Sequence, residues 1–287
     1  MPPLPRTSRS HSKKPLTGQV AIVTGGGRGI GKAIALGLAK AGCSVAVVAQ
    51  SEDQLAETVR DITQFGCRAI SITADVSDPA AVQGMTREVE NSLGSVDLLV
   101  NNAGVAGPIG RTWETDPHHW WRCLEVNLRG PMLCARAVLP GMIAHGGGRI
   151  VNVASGAGTF AIPYLGAYVT SKTALIRFTE VIALEAGSHG IKVFAIEPGT
   201  VRTSMAEHAL NSEEGNRWLP WLGEVFQRGK DVPPDLAADL VVLLASGRAD
   251  ILSGRFFTIK DDVVGLADWA RNEELGDLQT LRLNRQS

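Results

Sequence analysis

From Gln19 onward, short apolar runs alternate with longer stretches of helical period. The runs read as strands: VAIVT at 20–24, VAVVA at 45–49, AISIT at 69–73, VDLLVN at 96–101, RIVNVA at 149–154, KVFAIE at 192–197 and FFTI at 256–259. They are apolar rather than alternating, the pattern of strands covered on both faces. Gly29 to Ala41 reads as a helix that Gly42 stops. Ser51 to Gln54 has the S-x-x-Q form of a capping box and opens a second helix, and Asp78 with Pro79 opens a third. Strand–helix alternation repeated this often predicts one α/β domain: a doubly wound parallel sheet of about seven strands with helices on both faces.

No repeat or low-complexity linker divides the chain, so the domain is expected over residues 18–265. A basic arm rich in proline and serine, residues 1–17, precedes it and reads as flexible. A tail at 266–287 follows. There Asp268 is predicted to start a helix with an apolar stripe at Trp269, Leu275, Leu278 and Leu281, docked on the fold or a neighbouring subunit near the substrate cleft.

Composition narrows the partners. With 287 residues and 44% hydrophobic content the chain can bury a sizeable core. A net charge of −1 gives no electrostatic footprint for nucleic acid. No run of about 20 uninterrupted apolar residues calls for a membrane span. The first residues lack the apolar stretch of a secretory signal. Four cysteines without C-x-x-C spacing predict no metal site and a reducing compartment, hence a cytoplasmic location.

The glycines of TGGGRGIG, Thr24 to Gly31, sit between the first strand and its helix. Ligands of a doubly wound sheet bind beyond the carboxyl ends of its strands. The helix opened there offers unpaired amides and a positive end, and glycines let backbone approach a pyrophosphate. The spacing, Gly25, Gly29 and Gly31, is G-x-x-x-G-x-G rather than G-x-G-x-x-G, and a tight turn without a ligand is the plain alternative. Tyr168 and Lys172 are four apart, on one helical face. An ammonium beside a phenol lowers the phenol's pKa from about 10, toward acid–base work. An incidental aromatic–cation pair is the alternative. Ser155 follows a strand end, and Asn127 falls in a predicted helix where asparagine is a poor former.

In chain order, TGGGRGIG, NNAG at 101–104 and YVTSK at 168–172 resemble the short-chain dehydrogenase/reductase family, over about Leu16 to Ile259. The resemblance implies a Rossmann-type fold, a nicotinamide cofactor, and hydride transfer between it and a carbonyl or secondary alcohol. It implies a catalytic tetrad: Tyr168 as acid or base, Ser155 holding the substrate oxygen, Lys172 lowering the tyrosine pKa and contacting the ribose, and Asn127 positioning a water. It also implies a cofactor set. Thr24, Gly25, Arg28, Gly29, Ile30 and Gly31 form the loop, and Gln50 follows the second strand. Asp75 and Val76 meet the adenine, while Asn101, Asn102, Ala103 and Gly104 follow the fourth strand. Pro198, Gly199, Val201 and Thr203 lie on the nicotinamide side, with Tyr168 and Lys172.

NAD-preferring members carry an acid where this chain has Ala49, followed by Gln50. Arg28 before the second loop glycine suits a phosphate, so NADP is favoured and NAD stays open. Residues 204–234 correspond to the family's substrate lid. Its Trp218, Trp221 and Phe226 suggest a fairly apolar substrate, or a lid packing its own small core. Trp113, Phe160, Ile162 and Tyr164 are further pocket candidates. Trp120 and Trp121 read as structural packing, His118 and His119 as solvated helix-start residues. The family's usual assemblies imply a homodimer or homotetramer. Reduction of 3-oxoacyl thioesters and a non-catalytic NAD(P)-binding sensor are the alternative functions. A sensor would typically have lost the tyrosine or the lysine.

Overall fold

A computed structural model of the protein describes residues 14–282. Seven strands, β1 (Val20–Thr24), β2 (Ser44–Ala49), β3 (Ala69–Thr73), β4 (Leu98–Asn101), β5 (Gly148–Val153), β6 (Ile191–Glu197) and β7 (Phe256–Thr258), form one sheet. Its order is β3-β2-β1-β4-β5-β6-β7, and every pairing is parallel. The first half of the sheet carries α1 (Gly29–Lys40), α2 (Glu52–Thr63) and α3 (Pro79–Ser92). Next come α4 (Pro117–Leu124), a π-helical turn at Glu125–Arg129, α5 (Gly130–Ala144) and α6 (Gly166–Ala186). Three short helices, α7 (Ser204–Asn211), α8 (Glu213–Trp218) and α9 (Pro220–Gln227), precede α10 (Asp235–Ala245) and α11 (Val263–Trp269).

The period-2 rule sorts each central strand onto two apolar layers. Ala21, Val23, Val45 and Val47 pack with Ile34 and Leu38 of α1 and Val241 and Leu244 of α10. Ile22, Val48, Leu99 and Ile150 pack with Val82 of α3, Val138 and Met142 of α5 and Ile182 of α6. Each such fully buried side chain contributes about 1.5–3 kcal/mol relative to exposure. Chain order reverses between the β3-β2-β1 half and the β4–β7 half. That switch opens a crevice beyond the carboxyl ends of β1 and β4, where the site lies.

The structure departs from the sequence pattern at the margins. Ser71 and Thr73 of edge strand β3 are exposed, so that strand is not covered on both faces. Ser51 is the N-cap of α2, but its side chain makes no cap bond, so the expected capping box is not formed. Asp78 does cap α3, accepting from the Ala80 amide at 2.9 Å. Of the expected arm, residues 1–13 lie outside the described residues. Leu16 belongs to the core: it is fully buried and its amide donates to the Ala41 carbonyl at 3.0 Å.

The last helix begins at Val263, not Asp268, because the Asp262 carboxylate caps it through the Gly265 amide at 2.9 Å. It ends at Trp269, which stays about half exposed, as does Leu278. Two members of the expected stripe, Trp269 and Leu278, therefore face solvent, while the other two dock: Leu275 packs on the main core and Leu281 beside Ala154, Leu175 and Phe256. The Glu180 carboxylate of α6 holds the tail, accepting from the Leu281 amide at 2.8 Å and pairing with Arg282 at 2.9 Å. The Phe256 amide of β7 donates to the Gln279 carbonyl at 2.9 Å, so the tail also satisfies part of the open sheet edge.

Candidate active site

The glycine loop is closed by the protein itself. Gly25 and Gly29 hold φ values of +65° and +55°, a region that favours glycine. A Cβ on Gly31 would stand 2.1 Å from the Gly25 carbonyl oxygen and 2.4 Å from Asn102 Nδ2. Asn102 donates through Nδ2 to the Thr24 and Gly25 carbonyls at 3.0 and 3.2 Å. The Thr24 hydroxyl accepts from the Asn102 and Ala103 amides at 3.0 and 3.1 Å. Thr24 is buried and does not reach the groove; it clamps β1 to β4 beneath it. Asn101 is likewise a support: its Nδ2 donates to Asn152, whose Nδ2 donates to Thr179, across β4, β5 and α6.

A groove of about 640 Å³ runs above this floor. Gly25, Arg28, Gly29, Ile30 and Gly31 line its centre, and Gln50 one end. Asp75, Val76, Asn102, Ala103 and Gly104 line its wall. Tyr168, Lys172, Pro198 and Thr203 border the other end. Gly199 and Val201 do not line it. Gly199, with φ +77°, makes the turn after β6, where a Cβ would meet Val232 at 2.6 Å, and Val201 is buried.

A dinucleotide fits this groove on three observations. Arg28 is the N-cap of α1 in extended backbone and makes no side-chain cap bond, so no side chain takes up the first amides of that helix beside the groove. Val48, Ala74 and Val76 offer an apolar wall beside the polar loop. Ala49 and Gln50 at the end of β2 bring no carboxylate to the groove.

The sequence reading missed Ser51, Gln54, Val105, Arg122 and Met205, which also line the groove. Ser51 and Gln54 were signalled by adjacency to Gln50. Arg122 had no local signal, because its partners lie far away in the chain. Its guanidinium donates to Asp75 and Ser77. Burial alone would raise the Asp75 carboxyl pKa, but the Ser77 hydroxyl and amide and Arg122 outweigh it and hold it below the ordinary value.

Tyr168 and Lys172 sit on the first turns of α6, facing the groove. Ser155, the N-cap of the short turn after β5, presents its hydroxyl to the Tyr168 phenol. The tyrosine–lysine electrostatics differ from expectation. Burial raises the Tyr168 pKa, the Ser155 hydroxyl only partly opposes this, and Cys123 and Glu197 add to the rise. Lys172 Nζ donates to the Val153 carbonyl at 2.7 Å and lies 5.7 Å from the phenol ring centre. Burial depresses the lysine's own pKa to about 8.

Asn127 lies in the π-helical turn, an irregularity suited to a poor helix former. It is fully buried and outside the groove lining. Its Oδ1 accepts from the Val105 amide at 2.8 Å, and its Nδ2 donates to the Val105 carbonyl at 2.9 Å and to Ser171 Oγ at 3.0 Å. It thus ties the segment after Gly104 to α6.

Trp120 and Trp121 stack at 6.4 Å, but Trp121 is exposed, so it is not core packing. His118 and His119 are exposed at the start of α4, as expected. Among the described residues no group of three or more His, Cys, Asp or Glu is placed to hold a metal ion, and no helix is long and apolar enough to cross a membrane.

A parallel sheet with a glycine-loop crossover, a dinucleotide-sized groove and a tyrosine–lysine pair at its end defines a Rossmann-type oxidoreductase. A family model described as short chain dehydrogenase matches residues 19–214. The "Short chain dehydrogenase pigC" of Monascus ruber is 35% identical over 88% of this chain and 82% of its own length. A 3-oxoacyl-[acyl-carrier-protein] reductase of Synechocystis is 34% identical over 87% of this chain and 98% of its own. A solved NAD+-bound xylitol dehydrogenase superposes with a TM-score of 0.77 at 30% identity, covering 85% of this chain and 98% of that one. The chain belongs to the short-chain dehydrogenase/reductase family.

Proposed function

We propose that the chain interconverts a carbonyl compound and its secondary alcohol, with NADP favoured over NAD and Tyr168 as the proton donor or acceptor. The observation that carries this is that Tyr168 and Lys172 both line the groove floored by the glycine loop, with Ser155 just after β5. The bound nicotinamide supplies the hydride in reduction and accepts it in oxidation. Ser155 holds the substrate oxygen. As that oxygen gains negative charge, the phenol gives it a proton, and in oxidation the flow reverses. A phenol kept protonated by burial suits the reducing direction. Lys172 stands behind it, anchored on Val153, with a pKa near working pH that lets it pass a proton onward. Asn127 braces Val105 and α6; the water-positioning role implied for it belongs to this same proposal.

The NADP preference rests on Arg28 in the loop, whose guanidinium suits a 2′-phosphate, and on Ala49 and Gln50 at the end of β2, neither of which brings a carboxylate. A 3-oxoacyl thioester is the second substrate reading, favoured by the name of the Synechocystis relative. Leu184 and Val181, exposed on α6, support an assembly of identical copies.

Turnover of ketones, alcohols and a 3-oxoacyl thioester with each cofactor, in wild type and Tyr168→Phe, tests the proposal. We expect activity in wild type and a loss of about 10²- to 10⁴-fold in the variant. Equal rates in the two proteins would refute the role of the phenol. Cofactor binding without any turnover would return the sensor reading.

A further inference from the structure

Three chain segments leave the groove and meet beyond it. One runs from Gly104 and Val105 to Arg111, one from Tyr168 back to Tyr164, and one from Thr203 to Trp218 at the end of α8. The Gly110 amide donates to the Tyr164 carbonyl at 2.9 Å, which ties the first two. The Trp218 ring lies against the Tyr164 ring, centroids 4.3 Å apart, which ties the third. Two guanidiniums then bracket that indole: Arg111 Cζ is 5.2 Å from its centroid and Arg217 Cζ 4.5 Å. Arg111 also lies 5.8 Å from the ring of Trp113, whose relative exposure is 80%.

A lid meant only for an apolar substrate does not account for this arrangement. Two like charges around one ring repel each other. Arg111 has a single carboxylate partner, the exposed Glu114 at 3.1 Å. Arg217 forms no ion pair among the described residues, although Glu213 and Glu214 open the same helix. Positive charge is therefore left beside the exposed ring of Trp113 and the half-buried ring of Trp218. Guanidiniums take carboxylates in a two-pronged fork, and indoles stack on flat unsaturated groups.

We propose that the substrate is a flat, unsaturated carbonyl compound that bears an anionic group, the anion seated on Arg111 and Arg217 and the flat part against the exposed ring of Trp113. The proposal rests on the reductase reading and narrows its substrate class. If the arginine–tryptophan contacts served only to fasten the lid, binding would be blind to substrate charge.

The full chain with NADPH is assayed on para-acetylbenzoate and on its uncharged methyl ester. Wild type is expected to favour the acid in kcat/KM by about tenfold or more, the scale of one charge-assisted hydrogen bond, and chiefly through KM. The double variant Arg111→Gln with Arg217→Gln loses that preference, and the double lysine variant keeps part of it. Melting temperatures confirm that each variant folds. Equal use of acid and ester by wild type, or a preference that survives both glutamines, overturns the proposal.

Acetoacetyl-coenzyme A separates carboxylate from carrier phosphate. A rise in KM for both anions extends the seat to phosphates, whereas a rise confined to the thioester overturns the flat-acid assignment. Binding of acid and ester is read separately, by tryptophan quenching. Charge-dependent binding without turnover of any probe defeats the reductase reading and upholds the anion seat. Turnover without charge discrimination does the reverse.

Discussion

Residues 24–31 and residues 202–227 both border the same crevice, yet they are held in different proportions by hydrogen bonds and by ring contacts. The glycine loop is clamped by buried hydrogen bonds among Thr24, Gly25, Asn102 and Ala103, with no room for a single added methyl at Gly31. The lid is three short helices that add ring and guanidinium contacts, such as Trp218 on Tyr164 and Arg202 over Phe226 at 4.5 Å, to a small core of Ala209, Leu219 and Phe226 and a tight glycine of its own, Gly215. The floor is therefore shaped before a ligand arrives, whereas the lid keeps exposed surface for one. In the proposed function a rigid floor fixes the reacting geometry, and the roof selects the substrate.

Substitutions should separate the two. The largest effect is expected for Gly31→Ala, which drives a Cβ into the Gly25 carbonyl and costs about 4 kcal/mol or more, measured by denaturant unfolding. Trp218→Ala in the lid should cost much less stability and act mainly on KM. A similar cost for both would erase the contrast.

Next is Lys172, whose folded pKa of about 8 lies below its ordinary value of 10.5. Between those values the unfolded chain binds more protons, so stability from this group rises with pH and is missing below about 8. Wild type should thus gain up to about 3 kcal/mol relative to Lys172→Met as pH rises from 7 toward 10.5. A pH-independent difference would show that the lysine is not depressed.

A smaller effect is expected at the docked tail. Leu281→Ala should cost about 2 kcal/mol, seen as a lower melting temperature, with Tyr168 chemistry unchanged. Smallest is Arg28→Ala, exposed in the loop. It should weaken NADPH relative to NADH by roughly 1 kcal/mol in equilibrium binding, as one exposed charge pair would.

What the sequence disclosed follows the same division. The strands, the glycine loop and the Tyr168–Lys172 pair were legible because each depends on residues close in the chain. The π-helical turn holding Asn127, the Asp75–Arg122 pair and the Glu180–Arg282 latch were not, because each joins segments brought together only by folding. The tail helix was misplaced by six residues' worth of capping choice: Asp262, not Asp268, reaches an open amide. The net rise of the Tyr168 pKa was not legible for a different reason. Spacing places two side chains on one face, but the burial that dominates the phenol is decided only by folding.

The most direct test of a preformed floor serving a single phenol combines two readings on Tyr168→Phe. Its NADPH dissociation constant is measured at equilibrium, and the rate of hydride transfer to a ketone is measured in a single turnover. We predict binding within a few-fold of wild type and a transfer rate lower by about 10²- to 10⁴-fold. An unchanged transfer rate, or a wild-type chain that binds neither nicotinamide cofactor, would contradict the account.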